Sequence, residues 1–209
     1  MQRFPRTATN IISAVTLLAW LFAFVTGQSD WAAYALGFVP LRVTVPTVSL
    51  NALPVFLTPL SATLVHSGPV HLGFNLLMLV WCGSQVERII GPIGLIILYV
   101  IGAYAAAALQ WWVHPHASVP MIGASGAISA IVGAFALSYG RARAFTNNLK
   151  LNRWINVAWL LVAWVVLQVM MGWLGNQQGY LLATPAHVGG FAAGLLLQRP
   201  LLLWRYRKA

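Results

Sequence analysis

Apolar residues in this chain neither alternate with polar ones nor recur on a single helical stripe; they come in long unbroken runs. Six runs cover roughly residues 10–26, 70–86, 94–112, 123–140, 154–173 and 185–203. Each reaches the length of about 17–25 residues that an α-helix needs to cross a bilayer. The pattern predicts an all-α, polytopic membrane protein with six transmembrane helices. One connection departs from it. Residues 27–69 are long for a loop, apolar and proline-rich, as in the stretch VPTVSLNALPVFLTPL. That stretch is too broken for a spanning helix and too apolar to float in water. It predicts a membrane-associated first loop packed on the bundle, because irregular backbone at membrane depth needs protein or a wet cavity to satisfy it. The chain has no internal repeat or low-complexity tract.

Composition supports the same class. Of 209 residues, 60% are hydrophobic and 7% charged, where a soluble domain carries about 25% charged residues. Lipid can cover a surface that has so few charges. The length suits one membrane domain over residues 1–209. The start resembles a signal peptide, with Arg3 and Arg6 before the first run. Five further runs follow, so it reads as a retained first helix.

The net charge of +10 raises nucleic acid as a partner, but the placement of the charges argues against it. With the N-terminus inside, Arg3, Arg6, Arg88, Arg141, Arg143, Lys150, Arg153, Arg199, Arg205, Arg207 and Lys208 fall inside, and only Arg42 falls outside. Such a bias encodes membrane topology. It places both termini in the cytoplasm and leaves the lipid bilayer as the expected partner. The lone Cys82, within an apolar run, can form no intramolecular disulfide and reads as a small buried residue. Trp111, Trp112 and Trp154 lie near run ends, as an aromatic belt would.

Polar groups inside spans are costly, so each asks for a reason. His71 and Asn75 are four residues apart and share one face of the second helix. Ser125 lies just inside the fourth run, between Gly123 and Gly126. His187 lies just inside the sixth. Runs two, four and six all descend from outside to inside, so these four side chains share one depth in the outer part of the membrane. A serine hydroxyl is a weak nucleophile unless a base takes its proton, and a neutral imidazole can do so near pH 7. His71, Asn75 and the Ser125 backbone N–H could then donate to a developing oxyanion. Gly123 and Gly126 permit tight backbone geometry around the serine.

An acidic third member is harder to find. The chain has two acids. Glu87 is about 24 Å along the helix axis from His71, at the inner end. Asp30 lies in the outer loop, with nothing to recommend it. The expectation is a Ser–His dyad. Taken singly, each residue has a plainer reading: a membrane-helix serine usually packs as a small residue, and a lone histidine there is more often a proton relay. His66 reads as structural, tying the loop to the second helix. His114 and His116, beside Pro115, read as solvated; without acidic or cysteine partners they predict no metal site.

The motifs then resemble a family. His66 through Asn75 is similar to the rhomboid HxxxxHxxxN pattern. Gly123-Ala124-Ser125-Gly126 resembles the GxSG motif, and Ala186-His187 with Gly190 and Gly194 resembles AHxxGxxxG. Glu87-Arg88 and Gly91 resemble the end of the family's second helix. The resemblance implies an intramembrane serine protease without cofactor or metal, with Ser125 as nucleophile, His187 as base, and His71, Asn75 and the Ser125 N–H as oxyanion donors. It implies structural roles for Gly190 and Gly194, which let the sixth helix approach the fourth, and for Glu87. It further implies single-span or polytopic membrane-protein substrates entering beside a mobile fifth helix. The short chain, separately, suggests a bacterial inner membrane. The alternative is an inactive rhomboid-like protein that binds membrane clients. One departure stands out: Ser129 occupies a position where many relatives place an aromatic residue against the catalytic histidine.

Overall fold

The computed structural model of the chain describes residues 7–45, 51–139, 146–174 and 183–207, with backbone only over 171–174. It is an all-α bundle. Helix α1 spans Thr7–Val25, and α2 and α3 are the short helices Ser29–Leu36 and Thr58–Ser61. Helix α4 (Pro69–Met78) runs through a π-helical turn, Leu79–Gly83, into α5 (Ser84–Val113). Then follow α6 (Ser125–Tyr139), α7 (Leu149–Leu174) and α8 (Thr184–Arg205). Among the described residues the only β feature is an isolated bridge between Phe38 and Met121. Thr7–Val25, Pro69–Val113 and Leu149–Met170 are long and apolar enough to cross a membrane, and Ser125–Tyr139 is a shorter apolar helix.

Every expected run falls on a helix, but two details differ from the pattern. Runs two and three are not separated by a loop. The chain breaks at one residue, Gly91 (φ 80, ψ 169), followed by Pro92. Glycine tolerates the positive φ, and proline, with its fixed φ and missing N–H, suits the first position of a helix. The break makes a hairpin of helices. His71 lies against Gly123 and Ala106 lies against Gly126, so the chain returns to the end from which α4 began. The first loop is also more regular than expected. Besides α2 and α3 it holds 3₁₀ turns at Pro40–Val43 and Ala62–Leu64, which pair their own backbone groups locally. It is pinned to the segment before α6 by Phe38–Met121 bonds in both directions (3.0 and 2.8 Å), by Leu41 N–H to the Ala117 carbonyl (3.0 Å), and by Gly123 N–H to the Ala62 carbonyl (2.9 Å). Arg42, the one basic residue expected outside, is buried and donates to the Leu53 carbonyl.

The core is α6, wedged between α5 and α8. Eleven of its fifteen residues are buried, and most are small. Small residues let membrane helices approach until their backbones touch. A Cβ on Gly190 would stand 2.0 Å from the Gly126 carbonyl oxygen, and one on Gly194 would stand 2.0 Å from that of Ala130. A Cβ on Gly133 would come within 2.3 Å of the Phe191 carbonyl oxygen. On the other side, Gly102 faces Ala130 and Gly126 faces Ala106. Helices α1 and α7 bury far less of their length and form the outer walls.

Candidate active site

Helices α4, α6 and α8 all begin at the same end of the bundle, and each contributes to one cluster near its start. Ser125 is the first residue of α6, and His187 lies in the first turn of α8. Ser125 Oγ is 2.9 Å from His187 Nε2, and both residues are buried. With the hydroxyl as donor, Nε2 is the acceptor and the proton of a neutral ring sits on Nδ1. The backbone contacts at Gly190 and Gly194 fix the spacing of the two helices that carry the pair.

His71 projects from α4 toward the residues just before the serine. Its Nδ1 is 3.1 Å from Ser67 Oγ. Its other edge lies against Gly123, where an added Cβ would meet Cε1 at 2.6 Å and Nε2 at 2.7 Å. Gly123 also has φ +107, which L side chains rarely adopt. The position therefore needs glycine for two separate reasons. Asn75, one turn further along α4, is fully buried and donates from Nδ2 to the His71 carbonyl at 2.9 Å. That bond uses one of its two amide hydrogens.

His66 sits beside this cluster. Its ring meets the His71 ring edge-on at 4.9 Å. Its Nε2 accepts from the Ala124 N–H at 3.4 Å, and its carbonyl accepts from Trp20 Nε1 at 3.2 Å. Burial, reinforced by the neighbouring His71, holds the His66 imidazole well below its usual range, so the ring is neutral and keeps an acceptor nitrogen. His66 thus reaches the residue preceding Ser125 and the helix α1, in addition to the second helix.

Ser129 does not fill the place of an aromatic ring. Its hydroxyl donates to the Ser125 carbonyl at 2.6 Å and accepts from Trp164 Nε1 at 2.7 Å. Trp164 belongs to α7 and is almost fully buried, on the same helix as the buried Asn152, Val157 and Gln168; its ring stacks on Phe74 of α4 at 5.8 Å. Sequence reasoning passes over Trp164 and Phe74. The one available signal is position: Trp164 lies mid-run, unlike Trp111, Trp112 and Trp154 near the run ends.

The acids are elsewhere. The Glu87 carboxylate, at the opposite end of α4–α5, accepts from the N–H groups of Ala8 and Thr9 at 2.9 and 3.0 Å and from Thr9 Oγ at 2.6 Å. It satisfies the open N-terminus of α1, as a carboxylate does well at the positive end of a helix dipole. Asp30 is in the first turn of α2. Among the described residues, no group of three or more His, Cys, Asp or Glu could hold a metal ion.

The family model described as Rhomboid domain matches residues 55–204, most of the chain. The chain belongs to the rhomboid family. Among curated rhomboids it is 31% identical over 146 residues to RHOMBOID-like protein 4 of Arabidopsis thaliana, covering 69% of this chain and 34% of the relative. It is 31% identical over 143 residues to Rhomboid-type serine protease 2 of Emericella nidulans, covering 64% of this chain and 24% of the relative. Over 138 residues it is 25% identical to Rhomboid protease GlpG of Haemophilus influenzae, covering 66% and 65% of the two chains. The chain therefore matches about a third or less of the two larger relatives and about two thirds of the bacterial one. As a rhomboid with several membrane-length apolar helices, it is an integral membrane protein.

Proposed function

We propose that this rhomboid is an active intramembrane serine endopeptidase, working through a Ser125–His187 dyad. The observation that carries the reading is the 2.9 Å approach of Ser125 Oγ to His187 Nε2, between two helices whose backbones are in contact. His187 takes the Ser125 proton as the oxygen attacks the scissile carbonyl, then returns it to the leaving amine. The tetrahedral oxyanion is met by the Ser125 N–H, by a ring N–H of His71, and by the second amide hydrogen of Asn75. The resulting acyl-enzyme is resolved by water from the end of the bundle where α4, α6 and α8 begin.

In this reading residues 1–209 form one domain of six spans, with Glu87, His66 and the glycines in supporting roles. Both termini are cytoplasmic, in a bacterial inner membrane. The substrates are single-span or polytopic membrane proteins cut near the outer end of a transmembrane helix. A scissile bond must first leave its helix, so small or helix-breaking residues at that end are preferred. Replacing them with leucine in a cleaved substrate lowers the rate, and unchanged cleavage would count against the preference.

The test is labelling of the full chain in detergent with a serine-reactive fluorophosphonate, comparing wild type with Ser125→Ala and His187→Ala. Labelling of the wild type alone is expected. Equal labelling of all three, or none of a folded wild type, favours a client-binding protein without protease activity.

A further inference from the structure

The end of the bundle opposite Ser125 carries an open cavity of about 330 Å³, lined by Ile90, Gly91, Ile93, Trp204, Arg205 and Arg207 among others. It lies where the Gly91 break passes the end of α8. Two guanidinium groups border it. Arg205 donates from Nη1 to the carbonyls of Glu87 (3.2 Å) and Arg88 (2.6 Å), and its guanidinium lies against Gly91. Arg207 rests over the Trp204 ring at 5.2 Å. Neither acidic side chain of the protein lines the cavity: the Glu87 carboxylate faces α1, and Asp30 is in α2 at the other end.

The remaining walls are apolar. Ile93 is 60% exposed and Trp204 39% exposed, on helices whose outward faces are covered by lipid. A pocket with cations on one side, apolar surface on the other and a tryptophan at its rim matches the boundary between headgroups and acyl chains. Basic pockets at this level bind anionic headgroups. We propose that this cavity binds one anionic phospholipid, its phosphate between Arg205 and Arg207 and an acyl chain along Ile93. The proposal does not depend on protease activity.

The test uses the full chain in nanodiscs of phosphatidylcholine with a minor fraction of phosphatidylglycerol, and native mass spectrometry of the lipid retained on release. Wild type is expected to retain phosphatidylglycerol in preference to phosphatidylcholine. Arg207→Gln is expected to weaken that retention about fivefold. Ile93→Glu, which sets a carboxylate beside the guanidinium groups, gives a loss in the same direction without removing a cation. Lys150→Gln removes a charge from the same end but outside the cavity and leaves retention unchanged. Equal loss in Arg207→Gln and Lys150→Gln would mean general surface charge and overturn the site. So would retention of water-soluble glycerol phosphate as firmly as phosphatidylglycerol, which would mark a free phosphate-ester site.

Discussion

Trp164 donates its indole N–H to Ser129 Oγ at 2.7 Å, one helical turn from Ser125. This bond and the stack on Phe74 join the outer wall α7 to the two helices that carry Ser125 and Asn75. Ser129→Ala leaves a buried indole N–H unpaired and should cost about 1–3 kcal/mol of stability. Trp164→Phe keeps the stack and should cost about 1 kcal/mol. Thermal unfolding of both and of the double variant gives the coupling. Strict additivity would show that the bond contributes nothing.

Gly190 and Gly73 make opposite cases. A Cβ on Gly190 would stand 2.0 Å from a carbonyl oxygen, whereas one on Gly73 meets nothing within 4 Å. Gly190→Ala should push α8 away from α6 and reduce fluorophosphonate labelling at least tenfold, about 1.4 kcal/mol or more in the barrier. Gly73→Ala should stabilise α4 by about 1 kcal/mol and leave labelling intact. Equal effects of the two would refute backbone contact as the origin of the Ser125–His187 spacing.

Gly123→Ala meets both a strained φ and the His71 ring. It should cost about 1–3 kcal/mol from the backbone alone, plus the displacement of His71. Adding His71→Ala should recover only the steric part of the lost stability. Full recovery in thermal unfolding would show that the φ value does not matter.

Glu87→Ala removes the acceptor of three hydrogen bonds at the start of α1. A loss of about 2–4 kcal/mol is expected, read as a lower unfolding temperature. The folded fraction should label with fluorophosphonate at the wild-type rate, because Glu87 lies at the far end of the bundle from Ser125. A slower labelling rate in folded protein would indicate coupling between the two ends.

The helices could be read from the chain because a membrane-length apolar run leaves the backbone little alternative. The single-residue turn at Gly91 could not be told from a loop: Glu87 and Arg88 interrupt the apolar pattern between runs two and three, but nothing there records how many residues make the break. Nor could α3 and the Pro40–Val43 turn be told from loop, since their prolines mark helix starts as readily as loop. At the candidate site, depth alone grouped Ser125, His187, His71 and Asn75, because helices that begin at one end bring their first turns together. The partnership of Ser129 with Trp164 was invisible for the opposite reason: it depends on how α7 is rotated about its own axis, which the apolar pattern around Trp164 does not record.

The contact of α6 with α8 has a mechanical consequence. Carbonyl oxygens pressed against Cα atoms repel steeply, so the two helices resist compression, and the small residues between them leave no side chain to bend. Among the described residues, helix α7 is tied to the α4–α6 face by a ring stack and by the hydrogen bonds of Trp164 to Ser129 and of Arg153 to the Leu137 carbonyl, all of which yield more gradually. When the surrounding bilayer thins or its lateral pressure changes, the strain should fall on α7 first, leaving the separation of Ser125 and His187 nearly unaltered.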